Sequence, residues 1–304
     1  MSTASLGTGE VGGVTAEAPT PRTSPGASLP NGMTLWLSQV RAMVALELRK
    51  ALFGRRSLLV YGLAGLPVLV MVVLMVARRP GGDPVFENLG EARQVFSIIF
   101  QTFILRAVIF FGCVGIFTNL FRGEVLDRSL HYYLLSPVRR EVLAVGKYLA
   151  GLALTWILFV GTVVICFLML YPPFGFSRAS ADLFSGGGLG QLGSYVLVTM
   201  LACLGYGSVF LVIGLLFKNP ILPAGAVLGW ETLHFLLPPM LKRISVIHYL
   251  KGLVPVPMSE GPFAVVSDPP AAIVSIVGLL VLTVVAVAVA GVLLRRMEIR
   301  YGED

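Results

Sequence analysis

Apolar runs of about 20 residues recur along this chain, and they constrain its fold more tightly than any motif does. Clear examples are SLLVYGLAGLPVLVMVVLMVA at 57–77, SYVLVTMLACLGYGSVFLVIGLLF at 194–217 and AAIVSIVGLLVLTVVAVAVAGVLL at 271–294. In hydrocarbon every backbone N–H and C=O must be satisfied within its own segment, so even the valine-rich last run reads as helix. Charged residues are sparse, 13% against about 25% in a soluble domain. The chain therefore reads as one all-α polytopic membrane domain over 57–298 rather than as two soluble domains.

Six transmembrane helices are expected, at about 57–77, 95–120, 147–171, 194–217, 221–240 and 271–294. The fifth, ILPAGAVLGWETLHFLLPPM, is the weakest, because it carries Glu231, His234 and a proline pair. Gly207 and Gly214 in the fourth, and Ala286 and Ala290 in the sixth, are small enough for helices to approach closely. Residues 1–33 are rich in Gly, Ser, Thr, Ala and Pro and bury too little to order, so they are expected to be a disordered tail. No basic start followed by an apolar run marks a secretory signal. Residues 34–53 place Leu37, Val40, Val44, Leu48 and Ala51 on one stripe, with Arg41, Glu47, Arg49 and Lys50 off it. That pattern predicts an amphipathic helix lying in the membrane interface.

Lys and Arg set the orientation. Fifteen fall on the side that holds the N-terminal segment, the 121–147 loop, Lys218 and the C-terminus, and seven on the other. Both termini, including the 299–304 tail, are thus expected in the cytoplasm. The net charge of +7 records this bias and gives no reason to expect a nucleic-acid partner. Cys113, Cys166 and Cys203 all sit inside apolar runs at no metal-binding spacing and read as small apolar side chains.

The densest charge lies between spans two and three, in FRGEVLDRSLHYYLLSPVRREVLAVGKYLAG at 121–151. Leu126, Leu130, Tyr133 and Leu134 fall on one face of a short helix, which Ser136-Pro137 ends. An amphipathic helix here would lie on lipid or enter a groove of a soluble partner.

Glu124, Ser129-Leu130, Leu134-Leu135-Ser136-Pro137, Arg139 and Gly146-Lys147 form a pattern that resembles the permease subunits of type-two ABC exporters. The layout over 34–298 resembles that family too: an interfacial N-terminal helix, six spans and a loop helix between spans two and three. The resemblance implies a cytoplasmic coupling helix that docks on a separate ATPase subunit. Its docking residues would be Glu124, Leu126, Ser129, Leu130, Tyr133, Leu134, Pro137 and Arg139. It further implies two permeases, identical or similar, with two ATPases that carry ATP and Mg, in the bacterial cytoplasmic membrane. This chain has no P-loop of its own: its one Gly-Lys, Gly146-Lys147, is followed by Tyr148, and Glu141 stands where the first glycine belongs. No catalytic residue, cofactor site or metal site is expected; Glu231 and His234 lie one turn apart but lack a third ligand at recognisable spacing.

Two charges fall in mid-span, Arg106 in span two and Glu231 in span five. Since the two spans run in opposite directions, the charges reach similar depth and are expected to pair, directly or through Gln101 or His234. Such a pair fixes helix register or marks a polar point on a substrate route. Residues 241–270 are expected outside the cytoplasm, with ISVIHYLKGLV forming a short interfacial or re-entrant helix. Two other readings stay open: an ion- or proton-coupled transporter or channel without an ATPase, and a membrane assembly subunit that moves nothing. No motif names a cargo.

Overall fold

The computed structural model describes residues 32–53, 57–77, 86–126, 140–217, 219–256 and 270–296. Among these, helix is the only regular structure. The helices are α1 (Gly32–Phe53), α2 (Ser57–Val76), α3 (Leu89–Ile99), α4 (Phe110–Leu126), α5 (Arg140–Thr155), α6 (Gly161–Leu168), α7 (Phe176–Ser185), α8 (Gly188–Leu216), α9 (Ile221–Thr232), α10 (Pro239–Lys242), α11 (Val246–Lys251) and α12 (Ala272–Arg296). A π-helical segment, Phe100–Ile109, joins α3 to α4, and a second, Trp156–Val160, joins α5 to α6. Five helical stretches are long and apolar enough to cross a membrane: Leu58–Val76, Leu89–Phe121, Val142–Phe174, Gly188–Leu216 and Ala272–Arg296. The chain is a helical membrane protein.

The packing is that of a bundle in lipid. The stretch Gly188–Leu216 is the axis, two-thirds buried, whereas Leu58–Val76 and Ala272–Arg296 are each 17% buried. Leu59 and Ile273 on those outer helices stand 82% and 76% exposed, which water would penalise and hydrocarbon does not. Small residues bring the axis close to its neighbours. A Cβ on Gly214 would lie 2.8 Å from the Thr118 backbone, so α4 and α8 touch there main chain to main chain. Rings fill the wider gaps: Phe96, Phe100, Phe167 and Tyr195 cluster at one level, and Phe110, Tyr206 and Phe210 at another.

Local chemistry sets the element ends. At the start of α3 the Asn88 side chain accepts from the Glu91 N–H at 2.8 Å, and the Glu91 carboxylate accepts from the Glu87 N–H at 2.9 Å. The chain reverses from α7 into α8 at Gly187, whose φ of +80° favours glycine.

The stretch expected as span five is not one helix. α9 is 12 residues long, or about 18 Å, too short for a hydrocarbon layer of about 30 Å. A 3-10 turn, Leu233–Leu236, follows it, and Pro238 and Pro239 then end helical pairing. The chain continues through α10 into α11, as the expected short helix within ISVIHYLKGLV. α11 packs inside the bundle against α8 and α12, with Val246, Ile247, His248 and Leu250 buried.

Candidate functional site

Three arrangements of charge are described in the bundle: one that ties the two roots of the 121–151 stretch, one around Glu231, and one around Asp182. The coupling-helix face itself falls outside the description. Ser129, Leu130, Tyr133, Leu134, Pro137 and Arg139 are not among the described residues, and for Glu124 and Leu126 only their place in the last turns of α4 is given. What is described is the pair of helices that carry this segment, α4 ending at Leu126 and α5 starting at Arg140.

These two helices are clamped by Lys147. Its side chain has no exposure, and its Nζ donates to Glu47 Oε1 of α1 at 2.8 Å and to the Leu120 carbonyl of α4 at 3.0 Å. The Phe121 ring lies 5.3 Å below the ammonium. One buried cation thus ties the N-terminal helix, the end of α4 and the start of α5. Next to it a Cβ on Gly146 would meet Met43 at 2.9 Å, so α1 seats against α5 without a gap. The buried side of α1 therefore runs through Val40, Met43 and Glu47. The expected stripe holds in part: Val40 is buried and Leu48 packs against the core, whereas Leu37 stands 55% exposed and Glu47, expected off the stripe, is at the centre of the contact. A cation buried with its partner and a carbonyl outweighs the apolar stripe in setting the helix's rotation, because either charge alone would be very costly there.

At half depth the expected Arg106–Glu231 pair is not a contact. Glu231 is 5% exposed, and its carboxylate is occupied by the turn that starts α11: Ser245 Oγ donates to it at 2.6 Å, the Val246 N–H at 2.9 Å and the Ile247 N–H at 3.2 Å. The carboxylate caps a buried helix start, satisfying donors that have no partner in the helix itself. Gln101 is used elsewhere, donating to Ser97 Oγ and to the Val256 carbonyl, both at 2.9 Å. His234 faces the ring of His248 at 5.8 Å between centroids and lies 3.5 Å from Lys251 Nζ. Arg106 lies within the Phe100–Ile109 π-helical segment, half-buried, and makes no ion pair within 4 Å and no hydrogen bond among the described residues. It is near enough for its charge to act on Glu231 and on Tyr206. The Tyr206 hydroxyl is buried with no hydrogen-bond partner.

A third cluster closes the opposite end of the bundle. Arg93 pairs with Asp182 of α7, and the Tyr171 hydroxyl donates to the same carboxylate at 3.1 Å. All three cysteines are buried and unpaired with one another.

The π-helical segments and the Glu47–Lys147 contact are what sequence reasoning missed. Lys147 carried a signal, a lone cation within the apolar run that follows Arg140-Glu141; Glu47 did not, because an amphipathic helix has carboxylates on its wet side as a rule. The chain matches no family model, and no curated protein matches it.

Proposed function

We propose that this chain is the membrane-spanning subunit of an ATP-driven exporter in the bacterial cytoplasmic membrane, with energy supplied by a separate ABC ATPase. The observation that carries this reading is the Lys147 clamp. It makes the two roots of the 127–139 segment and helix α1 one mechanical unit, which is what a lever between a soluble motor and a bundle requires. The pattern from Glu124 to Lys147 supplies the face on which an ATPase would dock. Two copies of the chain pair with two ATPases, ATP and Mg are bound by those partners, and the chain itself hydrolyses nothing. Both termini are cytoplasmic. The sixth crossing is made jointly by α9, which enters to half depth, and α11, which completes the passage.

The buried Glu231, His234 and His248 are also the groups an ion- or proton-coupled carrier would use, and one experiment separates the two readings. The chain is co-expressed and purified with a candidate ABC ATPase, chosen from any encoded beside it, then reconstituted. Under the exporter reading the two co-purify, and Leu130→Asp in the docking face abolishes the stimulation of ATP hydrolysis by the permease. Transport that persists in Leu130→Asp and follows a proton gradient would overturn it.

A further inference from the structure

Helices α5 and α12 pack together, yet they leave an open groove of about 540 Å³ between them. Its described walls are Val145 and Tyr148 of α5 and a stripe of α12 that runs from Thr283 to Arg295. Val284 and Val292 on that stripe stand 68% and 47% exposed, so the groove opens sideways, toward hydrocarbon. Its two hydroxyl protons are spent inside the bundle. Tyr148 donates to the Leu204 carbonyl of α8 at 3.0 Å, and Thr283 to the Leu279 carbonyl at 2.9 Å. Among the described lining residues Arg295 is the one charged group. It stands at the end of the stripe, in the last turn of α12, with the exposed Arg296 beside it. Thr283 and Arg295 are twelve residues apart, about 18 Å along a helix. Half of a hydrocarbon layer, the depth of one leaflet, is about 15 Å. The groove thus runs the depth of one leaflet, apolar along its walls and cationic at one end.

We infer that this groove seats one acyl chain of an anionic phospholipid from the leaflet at the Arg295 end, with the lipid phosphate on the Arg295 guanidinium. A slot whose walls offer no free donor has little hold on a sugar, a peptide or a free ion, but it accepts hydrocarbon. The cation selects the headgroup. A guanidinium fork gives a phosphate two parallel hydrogen bonds, and a phosphate without a choline of its own answers it best. Arg295 carries five N–H donors, so a partner within the chain still leaves a pair for the lipid. A chain seated there packs against Tyr148, the residue after Lys147, and so joins α12 to the unit that Lys147 clamps. A lipid seat of this kind serves an exporter, a carrier or an assembly subunit alike.

The test is native mass spectrometry of the full chain, released from detergent with equimolar phosphatidylglycerol and phosphatidylcholine. No ATPase enters the measurement, so this result and the exporter reading fail independently. The wild type is expected to retain phosphatidylglycerol in excess. Arg295→Gln should cut that excess about tenfold, the loss of one charge-assisted contact. Arg295→Lys should fall between the two. Ala288→Phe, which puts a ring into the groove from an exposed position, should lower retention of both lipids, and the smaller Ala288→Leu should lower it less. Two controls lie outside the groove and should behave as the wild type: Arg178→Gln removes an exposed cation of α7, and Leu59→Phe enlarges an exposed side chain of α2. Inorganic phosphate at millimolar concentration should leave the bound lipid in place; its release would show that the headgroup alone holds it, and would overturn the seat for the chain. An unchanged phosphatidylglycerol excess in Arg295→Gln overturns the proposal. So does unchanged lipid retention in both Ala288 variants, including the case in which they lose a dimeric mass instead, which would assign the groove to a second copy.

Discussion

Lys147 and Arg106 are both cations within apolar helices, and the bundle treats them in opposite ways. Lys147 is fully enclosed and answered on every side by Glu47, the Leu120 carbonyl and the Phe121 ring. Arg106 is half-enclosed and makes no ion pair within 4 Å and no hydrogen bond among the described residues. The first arrangement holds the fold, since a buried charge is tolerable only when paired. The second lacks such close partners, and a charged side chain at the centre of a hydrocarbon layer costs about 2.5–3.5 kcal/mol on insertion scales.

The contrast can be broken most sharply at Lys147. Lys147→Met leaves Glu47 buried and unpaired, and is expected to lower stability by about 3–5 kcal/mol in a denaturant titration of the detergent-solubilised chain. Adding Glu47→Gln to it should restore most of that loss; if the double variant is as unstable as the single one, the pair is not what makes Lys147 matter. Glu231→Ala comes next. It strands the Ser245 hydroxyl and the Val246 and Ile247 N–H groups, at about 1–3 kcal/mol for each donor left unsatisfied. Hydrogen exchange should rise at 245–247 and not at the α1–α5 contact. Gly214→Ala forces a methyl against the Thr118 backbone and should cost about 1–3 kcal/mol, read as a lower melting temperature. Asp182→Asn, in the partly exposed cluster with Arg93, should cost about 1 kcal/mol or less by the same measure. Smallest of all, Arg106→Gln should leave melting unchanged or slightly raised. A large drop there would show that Arg106 is structural after all, and would erase the difference from Lys147.

Most of the architecture was legible in the runs themselves. Where 20 residues are apolar and free of proline pairs, as at 194–217 and 271–294, length alone fixes a helix that crosses. The stretch 221–240 is also about 20 residues long, but it carries Glu231, His234 and the proline pair, and it breaks. Pro238-Pro239 removes backbone donors, and Glu231 is better satisfied by the start of a later helix than by anything along its own. Partners were the least legible part. Arg106 and Glu231 were each visible as expensive residues, but who answers a charge depends on where Ser245 comes to lie in space. Rotation of α1 was hidden for a similar reason: its sequence shows a stripe, and only the cation on α5 shows which side of α1 faces in.

The two π-helical segments, Phe100–Ile109 and Trp156–Val160, have a consequence for anyone mapping these helices residue by residue. Hydrogen bonding reaches one residue further there, so the angular phase of side chains slips across each segment. A cysteine ladder run along Leu89–Phe121 will show one periodicity as far as Ile99 and an offset one from Phe110 onward, and labels that a regular helical wheel would put on a single face will report from two.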